Sequence, residues 1–158
     1  MKNNLAAVLF VVTLVAVPSV WAQGSAGDMT DMQALRAAVR TDKKALVAST
    51  LQLTDAEAKK FWPLYDAYQR KVDLANRERA VALEGVIGAT KPVSDLYAKN
   101  LAKQLVAADE IEVKARRTLY NRLMRALPAK KAARYLQLES KIRAYQAYDL
   151  AATFPLIK

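Results

Sequence analysis

The 158-residue sequence contains no cysteine and no histidine. Without them there is no thiolate nucleophile, no disulfide, no imidazole base for a Ser-His-Asp triad, no zinc-finger ligand set and no haem-attachment motif. Di-iron bundles built on Glu-x-x-His pairs are excluded as well. Glycine and proline are scarce, with four and five residues, and no stretch alternates apolar and polar residues with period two, so no sheet is expected. Acid is also in deficit: 25 Lys and Arg stand against 15 Asp and Glu, a formal +10, in a composition that is 53% apolar and 25% charged. This composition and length predict one folded domain of long helices joined by few turns.

The amino terminus reads as a secretory signal peptide. Lys2 precedes an unbroken low-polarity run from Leu5 to Val17, and Val20-Trp21-Ala22 supplies a cleavage site after Ala22. A helix over that run spans only about 20 Å against a hydrocarbon core of roughly 30 Å, which makes a transmembrane helix the poorer reading. Residues 1–22 are thus expected to be removed on export to the periplasm, residues 23–29 to form a flexible leader, and residues 30–158 to form the helical domain.

Helix boundaries are written in the capping chemistry. Thr30 to Gln33 spells a capping box that opens a first helix reaching about Gln52, with a break near Thr41-Asp42. Leu53 and Thr54 end it. Thr54-Asp55-Ala56-Glu57 spells a second capping box, opening a helix to Gly85 or Gly88. At 100° per residue, Phe61, Tyr65, Tyr68, Val72, Ala75, Ala82, Leu83 and Val86 share one face of that helix, with a kink expected at Pro63. Residues 88–92 form a loop and Ser94 is the next cap. A third helix from Asp95 to Ala126 repeats the stripe through Tyr97, Leu101, Leu105, Ala108, Ala115, Leu119, Leu123 and Ala126. Pro128 separates it from a fourth, on which Tyr135, Leu138, Ile142 and Tyr145 align. The expectation is an all-α fold: a long antiparallel helical hairpin flanked by shorter N- and C-terminal helices, four in all, dimerising because so thin a hairpin exposes much of its stripe.

Leu53-Thr54-Asp55-Ala56-Glu57 before a long amphipathic helix, in a small, exported, basic, all-helical chain, resembles the LTxxQ-motif (Spy/CpxP-like) family of periplasmic proteins. The resemblance implies a helical hairpin that dimerises into a curved cradle, and a role as an envelope-stress chaperone or as an accessory to a sensor kinase. Glu57 stands where the motif has Gln, and Leu127-Pro128-Ala129-Lys130 keeps only the leucine of the expected second copy. The segment Phe61-Trp62-Pro63-Leu64-Tyr65 lies outside the family pattern and looks like that of a related group of proteobacterial exported proteins. Zinc binding is not carried over, since histidine and cysteine are absent.

Among the aromatics, Phe61, Tyr65 and Tyr68 read as core, while Trp62, about 100° off the stripe, reads as the exposed one. Two charges interrupt apolar stripes, Arg79 and Glu112. With the turn centred near Lys91, the hairpin register sets them about 13 Å apart, so each is expected to pair elsewhere or to reach water. Asp109, Glu110 and Glu112 read as a solvated face rather than a metal site, because consecutive helical positions diverge.

The basic excess is localised. Residues 23–112 hold 13 basic and 13 acidic side chains, whereas residues 114–143 hold ten basic and one acidic, Glu139. Lys114, Arg122, Arg125, Lys130, Arg134 and Lys141, with Trp62, are the candidate partner-binding residues, and Leu53, Thr54 and Glu57 the motif and capping residues. A single-sign surface of this kind faces an anion. The expected function is a non-enzymatic periplasmic binding module that captures unfolded or acidic envelope proteins under stress. The alternatives are docking on the sensor domain of an envelope-stress kinase and peripheral binding to an anionic lipid surface. No catalytic residue, cofactor, metal or nucleic-acid partner is expected.

Overall fold

The computed structural model describes residues 31–87, 89 and 91–157. The segments expected to be a signal peptide and a leader, residues 1–29, and Thr30 lie outside the described residues. Among the described residues four helices follow in order: α1 (Met32–Leu51), α2 (Asp55–Ile87), α3 (Asp95–Ala126) and α4 (Ala129–Ala151). The fold is all-α, with no strand among the described residues.

The helix ends are set by side chains. Asp31 is the N-cap of α1, its carboxylate accepting from the Gln33 and Ala34 amides at 2.8 and 3.2 Å. Asp42 breaks α1 as the sequence suggests. Its backbone is extended (φ −160°, ψ 98°) and its carboxylate accepts from the Ala45 amide at 2.9 Å, so it caps a restarted second half. Gln52 closes α1 in the left-handed region (φ 46°, ψ 57°), donating its amide to the Ala48 carbonyl. The second capping box closes in both directions: the Thr54 amide donates to Glu57 Oε2 at 2.8 Å and the Glu57 amide to Thr54 Oγ1 at 3.3 Å. Lys131 of α4 reaches back to Glu57 at 2.6 Å and to the Gln52 carbonyl at 2.9 Å, tying the α1–α2 junction to the start of α4. Ser94 caps α3 by accepting from the Tyr97 amide. Pro63 does not end α2, which continues through it as one helix.

Packing divides into two cores. The larger brings together Leu35, Val47 and Leu51 of α1, Phe61, Tyr65, Tyr68 and Val72 of α2, Leu119 and Leu123 of α3, and Tyr135, Leu138 and Ile142 of α4. The Phe61 ring meets Tyr135 edge-on with centroids 5.0 Å apart, a favourable aromatic geometry. The smaller core holds Ala82, Val86 and Leu101, with Tyr97 and Leu105 against them, between α2 and α3 alone. Residues of the two long helices meet in reverse order there: the Tyr97 hydroxyl donates to the Ala82 carbonyl at 3.0 Å, and Arg79 meets Asp109 and Glu112. Gly85 permits this crossing, because a Cβ at that position would collide with the Tyr97 ring.

Phe61 is fully buried at the centre of the larger core. Phe61→Ala is expected to lower the unfolding free energy by about 3–4 kcal/mol in urea denaturation, the range for truncating a buried ring.

Candidate functional site

Two carboxylates lie inside the bundle, and for Glu112 this corrects the expectation of a solvated acidic face. Glu112 is 6% exposed and Glu139 1%. Glu112 Oε2 accepts from Arg79 of α2 at 2.5 Å and its Oε1 from Arg143 of α4. The register estimate that kept Arg79 and Glu112 apart is therefore corrected. Cα–Cβ bonds tilt toward a helix's N-terminus, so in helices running in opposite directions the Arg79 side chain leans away from the turn and the Glu112 side chain leans toward it. The two converge, and the long guanidinium stem covers the rest. Arg79 also donates to Asp109 at 2.7 Å and to the Asn76 side chain at 3.0 Å. Burial alone pushes Glu112 up, but the hydrogen bonds and charges of Arg143 and Arg79 outweigh it and hold the carboxyl below the usual range. Glu139 is met by Lys43 of α1 at 3.1 Å, with Gln69 of α2 and the Tyr135 hydroxyl beside it.

Of the sequence-predicted residues, Trp62 is a correction. It is half-buried, packs against the larger core edge-on to Phe61 and Tyr65, and lies under the Lys44 ammonium at 5.0 Å. Leu53 packs against the same core, and Thr54 and Glu57 form the cap already described. Hydrogen bonds from Lys131 and from the Thr54 backbone hold the Glu57 carboxyl low.

The structure spreads the predicted basic residues over three places. Lys114 and Arg122 border a groove between α2 and α3, opposite Lys71. Arg125 and Lys130 are exposed at the α3–α4 junction. Arg134 is exposed and Lys141 half-buried on α4, and both have partners within the fold. Within the described residues none of Lys114, Arg116, Arg117, Arg122, Arg125 or Lys130 forms an ion pair. Lys131 and Arg143, by contrast, are occupied by Glu57 and Glu112.

Two features escaped the sequence reading. On the outer side of α3, Val106, Val113, Tyr120 and Met124 are all exposed. They fall within about 40° of one another, roughly 120° from the buried stripe, and Arg116 and Arg117 flank them. Their seven- and four-residue spacing was the available signal. The second feature is the groove itself, about 420 Å³, with an apolar floor that includes Leu64, Leu74, Ile111 and Leu119. Nothing in single-helix periodicity marks a gap between two helices.

No histidine, cysteine or carboxylate cluster suited to a metal occurs among the described residues, and no helix there is long and apolar enough to cross a membrane. Comparison with family models, curated proteins and solved structures found no match to this chain.

The low carboxyl of Glu112 fixes the sign of a pH effect. A depressed folded value stabilises the protein above the ordinary carboxylate value of 4.5, and that contribution is lost as pH falls through the folded value. The melting temperature is therefore expected to fall below about pH 4.5, and Glu112→Gln to flatten that acid limb. At neutral pH Glu112→Ala is expected to cost about 3 kcal/mol in urea unfolding, since it leaves the partly buried Arg143 guanidinium without its counter-charge and takes one of the two carboxylates from Arg79.

Proposed function

We propose that this chain is an exported, non-enzymatic binding module of the periplasm that captures partly unfolded or acidic envelope polypeptides. One observation carries the reading: Arg116 and Arg117, neither of which forms an ion pair among the described residues, flank the exposed apolar stripe of Val106, Val113, Tyr120 and Met124 on α3. Charge of one sign accelerates encounter with an acidic segment, and short-range apolar contact then holds it. The signal-peptide pattern of residues 1–22 and the resemblance of Leu53-Thr54-x-x-Glu57 to the LTxxQ motif support export and a chaperone-like or sensor-accessory role. Docking on a single kinase sensor domain uses the same surface and differs in being saturable by one receptor.

At low salt, an equimolar amount of the protein is expected to slow aggregation of an acidic unfolded client. The effect should shrink in about 1 M salt, where the screening length is roughly 3 Å, and in the variant Arg116→Glu/Arg117→Glu/Arg125→Glu. No slowing at low salt overturns the reading.

A second copy of the chain is another occupant of the stripe, and a specific pattern favours it. About a two-fold axis at Val113, an antiparallel α3 pair sets Val106 against Tyr120, Ala102 against Met124, and Asp109 and Glu110 against Arg117 and Arg116. Light scattering is expected to show a dimer that Val113→Glu converts to monomer. A monomeric wild type at high micromolar concentration removes the homodimer.

A further inference from the structure

We propose that the groove between α2 and α3 is a binding site for one single-chain anionic amphiphile, a medium-chain fatty acid carboxylate. This site is separate from the polypeptide-facing outer side of α3 and does not rest on it. The groove runs from Leu64 to Leu74 along α2 and from Ile111 to Arg122 along α3, about 15 Å by helical rise. Small residues open it: Ala67 and Ala115 line its walls where larger side chains would close the gap between the helices. Its volume of about 420 Å³ lies within the range of small-molecule sites.

The charges at the mouth select the sign of the ligand. Lys71, Lys114 and Arg122 line the groove and no carboxylate does. None of the three forms an ion pair among the described residues. Three like charges around an apolar trough repel one another, and an anionic headgroup at the mouth relieves that repulsion while its chain lies on Leu64, Leu74, Ile111 and Leu119.

Size and hydrogen bonding decide against a peptide in this groove. Fifteen ångströms of helix about 10 Å across occupies about 1,200 Å³, well beyond the space present. An extended peptide would bring backbone N–H and C=O groups that need partners. The one uncharged polar side chain along the walls besides the Tyr68 hydroxyl is that of Thr118, and its hydroxyl already donates to the Lys114 carbonyl at 2.9 Å. The Tyr68 hydroxyl is itself buried in the protein. A hydrocarbon chain makes no such demand.

The test is calorimetric titration of the folded chain with laurate below its micelle concentration, with dodecanol and dodecyltrimethylammonium as controls of matched chain. One laurate per chain is expected to bind, with no comparable binding of the cationic analogue. Lys114→Glu, at an exposed position that leaves the helices intact by circular dichroism, is expected to weaken laurate about fivefold or more, the scale of one partly screened ion contact. Ala67→Leu, which fills the trough, is expected to abolish binding. The proposal is overturned by absence of binding, by equal binding of the cationic amphiphile, by binding only above the micelle concentration, or by indifference to Lys114→Glu. A saturating amount of laurate should leave the slowing of client aggregation unchanged. If laurate displaces the client, the groove is a polypeptide site and the fatty acid assignment fails, while capture itself stands.

Discussion

A carboxylate taken into a helical bundle has to be met by cations, because the desolvation of an unpaired charge amounts to several kcal/mol. Glu112 obeys this constraint by drawing Arg79 from α2 and Arg143 from α4. Glu139 does so by drawing Lys43 from α1 and Gln69 from α2. Each buried acid thus ties together three helices. Apolar burial is the larger stabilising term, but it is non-directional, and an aromatic interior such as Phe61, Tyr65 and Tyr135 tolerates sliding of one helix along another. The ion pairs do not. They specify which turn of α2 lies beside which turn of α3, and where α4 crosses both.

The same constraint sorts the basic residues. Lys131 and Arg143 belong to the most basic stretch of the chain, yet they act inside the fold, closing the α1–α2 junction and the Glu112 site. Among the described residues, the cations from Lys114 to Lys130 form no ion pair. The excess charge therefore concentrates on the outer side of α3 and at the mouth of the α2–α3 groove, both of which also offer apolar surface. Charge beside apolar surface suits the capture proposed above, and that capture requires no histidine, cysteine or metal.

Local chemistry was legible in the sequence and tertiary chemistry was not. The bounds of α3, the break at Asp42, the closed box of Thr54 and Glu57, and the cap at Ser94 follow from hydrogen bonds spanning three or four residues. The buried stripes of α2 and α3 follow from a 100° repeat. By contrast, the Arg79–Glu112 contact depends on side-chain length and tilt across two helices, which a Cα register ignores. The burial of Glu139 depends on a lysine 96 residues away. Trp62 was expected outside because its own helix turns it there, and Lys44 and Tyr65 cover it. The exposed line of Val106, Val113, Tyr120 and Met124 was present in the spacing, but it runs about 120° round α3 from the face that a search for a core follows.

The central claim is that Glu112 fixes the bundle by pairing with Arg143 and Arg79. A double-mutant cycle between Glu112 and Arg143, read by urea unfolding with Glu112→Ala, Arg143→Ala and the double variant, tests it most directly. The account predicts a coupling of about 1.5–3 kcal/mol, the worth of a charge-assisted hydrogen bond in a half-buried site. Additivity to within about 0.5 kcal/mol, the behaviour of independent positions, would contradict it.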